Sequence, residues 1–143
     1  MTTRRKIPTS LRKRVAVFAD YRCSYCRSPE VGGVPMVVDH IIPLAAGGSS
    51  DVDNLCLACY RCNEFEGAQY ESLDPLTETR VALFNPRLQV WTEHFAWSAD
   101  GLQMVGLTAC GRATVRTLRS NDLRLIQARR IWRIVGLHPP LEK

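Results

Sequence analysis

No apolar run in this chain of 143 residues approaches the ~20 residues that a membrane-spanning helix needs. The basic start, MTTRRKIPTSLRKR, is not followed by an apolar segment of the kind a secretory leader carries, so the cytoplasm is the expected compartment. Internal repeats and low-complexity tracts are missing too, which excludes solenoids and disordered linkers as the main architecture. Acid is scarce where base is dense: between Arg112 and Arg133 there are seven arginines and one acid, Asp122.

What is present fits a soluble globular protein of one domain: 45% apolar and 23% charged residues. The net charge of +5 favours an acidic partner, and its distribution says more than its size. Six basic residues, Arg4, Arg5, Lys6, Arg12, Lys13 and Arg14, fall in the first 14 positions, whereas residues 51–100 hold nine of the 14 acids. Both ends are therefore candidate phosphate-facing surfaces, with Arg61 in the middle of the chain as a further candidate; solvated helix faces are the plain alternative.

Along the chain, residues 1–8 read as a flexible basic arm. Thr9 or Ser10 is placed to cap a helix with Leu11, Val15 and Phe18 on one face. Residues 34–42 read as a strand, and 44–53 as a loop containing Gly47-Gly48. A short helix is expected from Asn63, and 68–90 as loop. Val90–Trp97 and Leu102–Leu107 flank Ser98-Ala99-Asp100-Gly101, a hairpin signal. After Thr108, a candidate N-cap, helices are predicted over about 110–119 and 122–135, the second ended by Gly136. The organisation predicted is one α+β domain over 1–143, with a core at 9–67 and an extension at 68–143 packed on it.

Six cysteines admit disulfides or metal, and a reducing compartment argues against disulfides. Cys23-x-x-Cys26 and Cys59-x-x-Cys62 form two knuckles 32 residues apart. Each supplies two thiolates from one tight turn, and four make the tetrahedron of a structural Zn²⁺ with no position open for water. A redox pair or free thiols compete with this reading, but no βαβ unit accompanies either CxxC. Cys56 and Cys110 stand outside the spacing and read as small buried apolar residues.

Between the knuckles lies Asp39-His40, within an apolar strand. Adjacent strand residues point to opposite faces, so the two side chains cannot share one task. Asp39 and Asn63 offer oxygen donors suited to a hard ion such as Mg²⁺.

The series Cys23-x-x-Cys26, Val38-Asp39-His40-Ile41-Ile42-Pro43, Gly47-Gly48, Asp53-Asn54-Leu55 and Cys59-x-x-Cys62-Asn63 resembles the HNH endonuclease family in its zinc-stapled form, over residues 22–67. The resemblance implies a ββα-metal core, two strands and a helix around one Mg²⁺ or Mn²⁺, and hydrolysis of phosphodiesters in DNA, expected to be double-stranded. It implies His40 as general base, Asp39 and Asn63 as ligands of the catalytic ion, and Asn54 as the residue that holds the loop and orients the base. The Asn54 amide is expected to bond backbone across the hairpin. The alternative is a zinc-stabilised nucleic-acid-binding module without catalysis. Glu66 departs from the pattern, standing where this form commonly has a basic residue near phosphate; an acid there repels phosphate unless it faces solvent or the metal. From Leu83 through Trp91, His94-Phe95 and Gly111-Arg112 to His138-Pro139, the chain is similar to the end of a group of small bacterial HNH proteins, which implies no extra chemistry. Trp91, Phe95, Trp97 and Trp132 are expected to pack rather than stack on bases, and His94 and His138 to be structural or exposed.

Overall fold

β1 (Met36–His40) and β2 (Leu55–Cys59) pair antiparallel, with Val38 opposite Leu57, Asp39 opposite Cys56 and His40 opposite Leu55. The computed structural model describes residues 7–31 and 34–142, and the pair lies at its centre. Alternation along the strands gives the hairpin two apolar faces. On one, Leu55 and Leu57 pack with Ile7 and with Val15 of α1 (Thr9–Phe18). On the other, Cys56 and Ala58 join Tyr25, the four knuckle cysteines and the aromatic residues of the extension.

α1 departs from expectation at both ends. Neither Thr9 nor Ser10 caps it; Pro8, with its φ already near the helical value, accepts from Arg12 N–H at 3.0 Å, and both hydroxyl residues lie in the first turn. Phe18 does not share the buried face of Val15. It is 63% exposed, and the Arg87 guanidinium lies 3.8 Å from its ring centroid. α2 (Tyr60–Glu66) starts three residues before Asn63, because Cys59 is its N-cap: Cys62 N–H donates to Cys59 Sγ at 3.4 Å. The second knuckle is thus the first turn of a helix.

The stretch 68–90 contains a hairpin that its composition conceals, β3 (Glu71–Leu73) with β4 (Arg80–Ala82). Asp74 organises its turn, accepting from Leu76 N–H and Thr77 Oγ1, and takes a two-pronged bond from Arg112 at 2.9 Å on each arm. A helical turn, α3 (Trp91–His94), occupies the start of the segment read as strand. β5 (Phe95–Trp97) and β6 (Met104–Gly106) then pair around the turn at Ser98–Gly101.

α4 (Ala109–Thr117) is capped by Thr108, whose Oγ1 accepts from Gly111 N–H at 3.0 Å. α4 lies so close to the preceding hairpin that a Cβ on Gly111 would sit 2.1 Å from the His94 carbonyl oxygen. α5 (Leu123–Ile134) is capped by Asp122. A single cluster of buried side chains runs from Cys23 and Cys62 through Trp91, Phe95 and Met104 to Leu118 and Leu125. Among the described residues no helix is long and apolar enough to cross a membrane.

Candidate metal centre and active site

The knuckles meet. The Sγ atoms of Cys23, Cys26, Cys59 and Cys62, all buried, lie within 4.8 Å of one another, with Cys26 and Cys59 at 3.7 Å. Four sulfurs at ~2.3 Å from a tetrahedral Zn²⁺ are about 3.8 Å apart, so the donor set fits that ion. Ser28 Oγ, 3.0 Å from Cys26 Sγ, adds a polar neighbour. Hydrogen bonds from the other three cysteines hold the Cys26 thiol well below its ordinary range, while burial pushes Cys23 up. The neighbouring thiols and burial push Cys62 up as well, so the quartet does not carry four negative charges without a cation at its centre. No other group of three or more His, Cys, Asp or Glu ligands gathers so closely among the described residues.

From this centre α2 is held against β1, which ends in Asp39 and His40. Asp39 sits on the Cys56 face. Its Oδ2 accepts from Tyr25 O–H at 3.5 Å, and Cys56 S–H donates to the Tyr25 oxygen at 3.6 Å. His40 lies beside Leu55 instead, with Nε2 3.0 Å from Ser50 Oγ. Asp39 and His40 are 7% and 6% exposed, so both are withdrawn from bulk water.

The loop joining the two strands is tied by one amide. Asn54 Oδ1 accepts from Ile42 N–H at 2.8 Å, while its Nδ2 donates to the carbonyls of Ile42 at 3.0 Å and Ser49 at 2.7 Å. Gly48 closes the same loop: a Cβ there would lie 1.8 Å from the Ile42 carbonyl oxygen and 2.9 Å from Asn54 Nδ2. Ser50 is thereby carried to His40.

Residues 23–69 match the HNH endonuclease family. Neither a curated protein nor a solved structure matches the chain. The match covers both knuckles, the β1–β2 hairpin and α2, and with the four gathered cysteines it fits the zinc-stapled form of the family. It supports a nuclease type of function for the HNH segment and leaves the extension outside it.

Within the HNH segment, Asn63 is half-buried on α2 one turn before Glu66, the i, i+3 spacing that puts two side chains on one side of a helix. Glu66 is 3% exposed and faces Asp39. Burial, reinforced by Asp39, pushes its carboxyl up to about 10, so in the metal-free protein it holds a proton at neutral pH. The acid at the usual basic position therefore meets the Asp39 carboxylate inside the protein rather than phosphate at its surface.

Of the predicted basic contacts, Arg4, Arg5 and Lys6 lie outside the described residues. Arg12, Lys13 and Arg14 are exposed on α1. Arg61 turns inward in part, donating to the Arg119 carbonyl at 3.0 Å with its guanidinium over Phe65. The arginine-rich end is less a charged surface than its composition suggests. Arg112 is spent on Asp74, and Arg129, fully buried, donates to the carbonyls of Leu102 at 2.9 Å and Ser120 at 2.7 Å. Arg116, Arg119, Arg124, Arg130 and Arg133 remain exposed.

The remaining expectations resolve simply. Trp91 and Phe95 are buried, and Trp97 and Trp132 pack half-buried against the same cluster. His94 bonds Thr108 Oγ1 through Nδ1, and His138 bonds the Gly101 carbonyl through Nε2. Cys56 is buried, but Cys110 is only half-buried, near Gln89. Tyr25 and Ser50 were missed by sequence reasoning. Tyr25 lies inside the first CxxC, where a bulky aromatic signals packing; only its 14-residue reach to Asp39 gives it a place at the site.

Proposed function

We propose that the protein is a metal-dependent endonuclease that hydrolyses phosphodiester bonds of DNA, with one divalent ion and with His40 as general base. What supports this reading most is the junction at the end of β1. There Asp39 is directed toward α2 and His40 toward the loop that Asn54 ties down.

His40 takes a proton from a water molecule as that oxygen attacks phosphorus. The P–O bond to the 3′ oxygen breaks, that oxygen takes a proton from solvent, and the new P–O bond leaves a 5′ phosphate. A neutral imidazole, with one ring nitrogen free of a proton, is the side chain suited to accept the proton of the attacking water. Asp39 and Asn63 would hold Mg²⁺ or Mn²⁺, whose charge offsets that of the phosphate and of the leaving oxygen. Asn54 acts through the loop: it fixes Ser49 and Ser50, and Ser50 in turn limits how the imidazole rotates. Cys23, Cys26, Cys59 and Cys62 would hold Zn²⁺, which would take no part in the chemistry and would fix α2 to the hairpin. Arg12, Lys13 and Arg14 on α1 supply contacts to the phosphate backbone. The whole chain acts as one unit in the cytoplasm, because the extension packs into the same buried cluster as the knuckles.

The test is conversion of supercoiled plasmid to nicked or linear DNA with Mg²⁺ or Mn²⁺. Cutting is expected from the wild type, lost with EDTA and reduced at least ~100-fold in His40→Ala. Equal cutting by His40→Ala would remove the role given to His40. Binding of DNA without cutting by either protein would favour a zinc-stabilised binding module.

A further inference from the structure

Glu66 is the charged side chain that the HNH pattern does not anticipate and that the proposed hydrolysis leaves without a task. Three observations bear on it. Its residue is 97% withdrawn from solvent, at 3% exposure, although nothing in its position on a short helix requires an acid to be inside. It is directed at Asp39, another buried carboxyl. Its Oε1 has no hydrogen-bond partner among the described residues. A buried carboxyl oxygen left in that state is unfavourable unless something satisfies it.

We propose that Glu66 is a third protein ligand of the divalent ion, joining Asp39 and Asn63, so that the ion is gripped by two carboxylates and an amide oxygen. The inference rests on the active-site reading above and extends it. Two facing carboxyls and an amide oxygen form an all-oxygen donor set, the set chosen by Mg²⁺ and Mn²⁺ and refused by soft metals. As the ion binds, Glu66 releases its proton to solvent; the two carboxylates then cancel both charges of the ion, so the protein loads it before DNA arrives. With a neutral or basic residue at 66, the ion would depend on substrate phosphate for its second negative partner.

The zinc-loaded full chain is titrated with Mn²⁺ without DNA, following free Mn²⁺ by its EPR signal, for wild type, Glu66→Gln and Asp39→Asn. The wild type is expected to bind one Mn²⁺, Glu66→Gln to bind at least ten times more weakly, and Asp39→Asn to lose binding. Equal affinity of Glu66→Gln and wild type, with Asp39→Asn defective, overturns the role of Glu66 and leaves the active-site reading intact. Absence of Mn²⁺ binding by the wild type, with or without a DNA duplex, overturns that reading as well. Should Glu66→Gln fail to fold, the wild type alone decides: Mg²⁺ is expected to shift the carboxyl ¹³C signals of both Asp39 and Glu66. A shift at Asp39 with none at Glu66 refutes the proposal.

Discussion

Around Cys23, Cys26, Cys59 and Cys62 the HNH segment closes on four sulfurs that need a cation. Around Arg129 the extension closes on the carbonyls of Leu102 and Ser120 with a cation of its own. The segment's hairpin and helix are short, and its centre is four thiols, a donor set that fits an imported ion. The extension is ordered by aromatic packing, a buried guanidinium and the Asp74–Arg112 pair, all supplied by the chain. The two are not insulated from each other. Burial pushes the Arg129 guanidinium below its ordinary range, and the nearby sulfurs of Cys26, Cys62 and Cys59 pull the other way. The extension thus places a positive charge toward the metal centre of the segment that precedes it.

Removing the ion tests the contrast most severely. Stripping Zn²⁺ with a strong chelator, or Cys59→Ala, is expected to withdraw on the order of 10 kcal/mol from the fold of residues 23–69. Hydrogen exchange should show β1, β2 and α2 losing protection while α4 and α5 keep part of theirs. Uniform protection across both regions would erase the distinction. Next in size is Arg129→Met, which leaves two buried carbonyls without their donor and is expected to cost about 3 kcal/mol in a denaturant melt. Because the substitution also deletes the positive charge beside the sulfurs, faster zinc loss to a competing chelator is expected. Unchanged zinc release would mean that the regions are electrostatically independent.

The smallest effect concerns the pair of Asp74, buried, with Arg112, partly exposed. The Arg112 guanidinium, with Thr77 and the Leu76 amide, holds the Asp74 carboxyl well below the usual carboxylate range. A carboxyl depressed on folding contributes stability that is present above its unfolded pKa of about 3.9 and is lost as pH falls toward the folded value. Asp74→Asn should therefore melt at a lower temperature than wild type at pH 7, with the gap shrinking below about pH 4. A gap independent of pH would show that the turn depends on the side chain's shape rather than its charge.

How far sequence carried the reading depended on the reach of each interaction. The two CxxC spacings announce their turns because each is local, and the Asn54 amide bonds Ile42 and Ser49 within one loop. Asp-Gly at 100–101 marks its own turn for the same reason. What stayed hidden is set by contacts distant along the chain. Phe18 reads as a core residue of α1, but the ring stays largely exposed and its contact is with Arg87, 69 positions later. Arg129 looks like one more surface arginine until Leu102 and Ser120 are found on either side of it. Glu66 is the instructive case at the candidate site. Its departure from the family pattern is plain in sequence, but its direction is fixed only when α2 is laid against β1.

The tie made by Asn54 also limits what this loop can become. One amide spans the entry at Ile42 and the stretch at Ser49, and Gly48 fills the remaining space against the Ile42 carbonyl. An added residue between 48 and 54 would pull the amide off at least one partner and carry Ser50 away from His40. The segment is thus fixed in length as well as in composition. The loop's length is therefore part of how His40 is held, and not only a way of joining two strands.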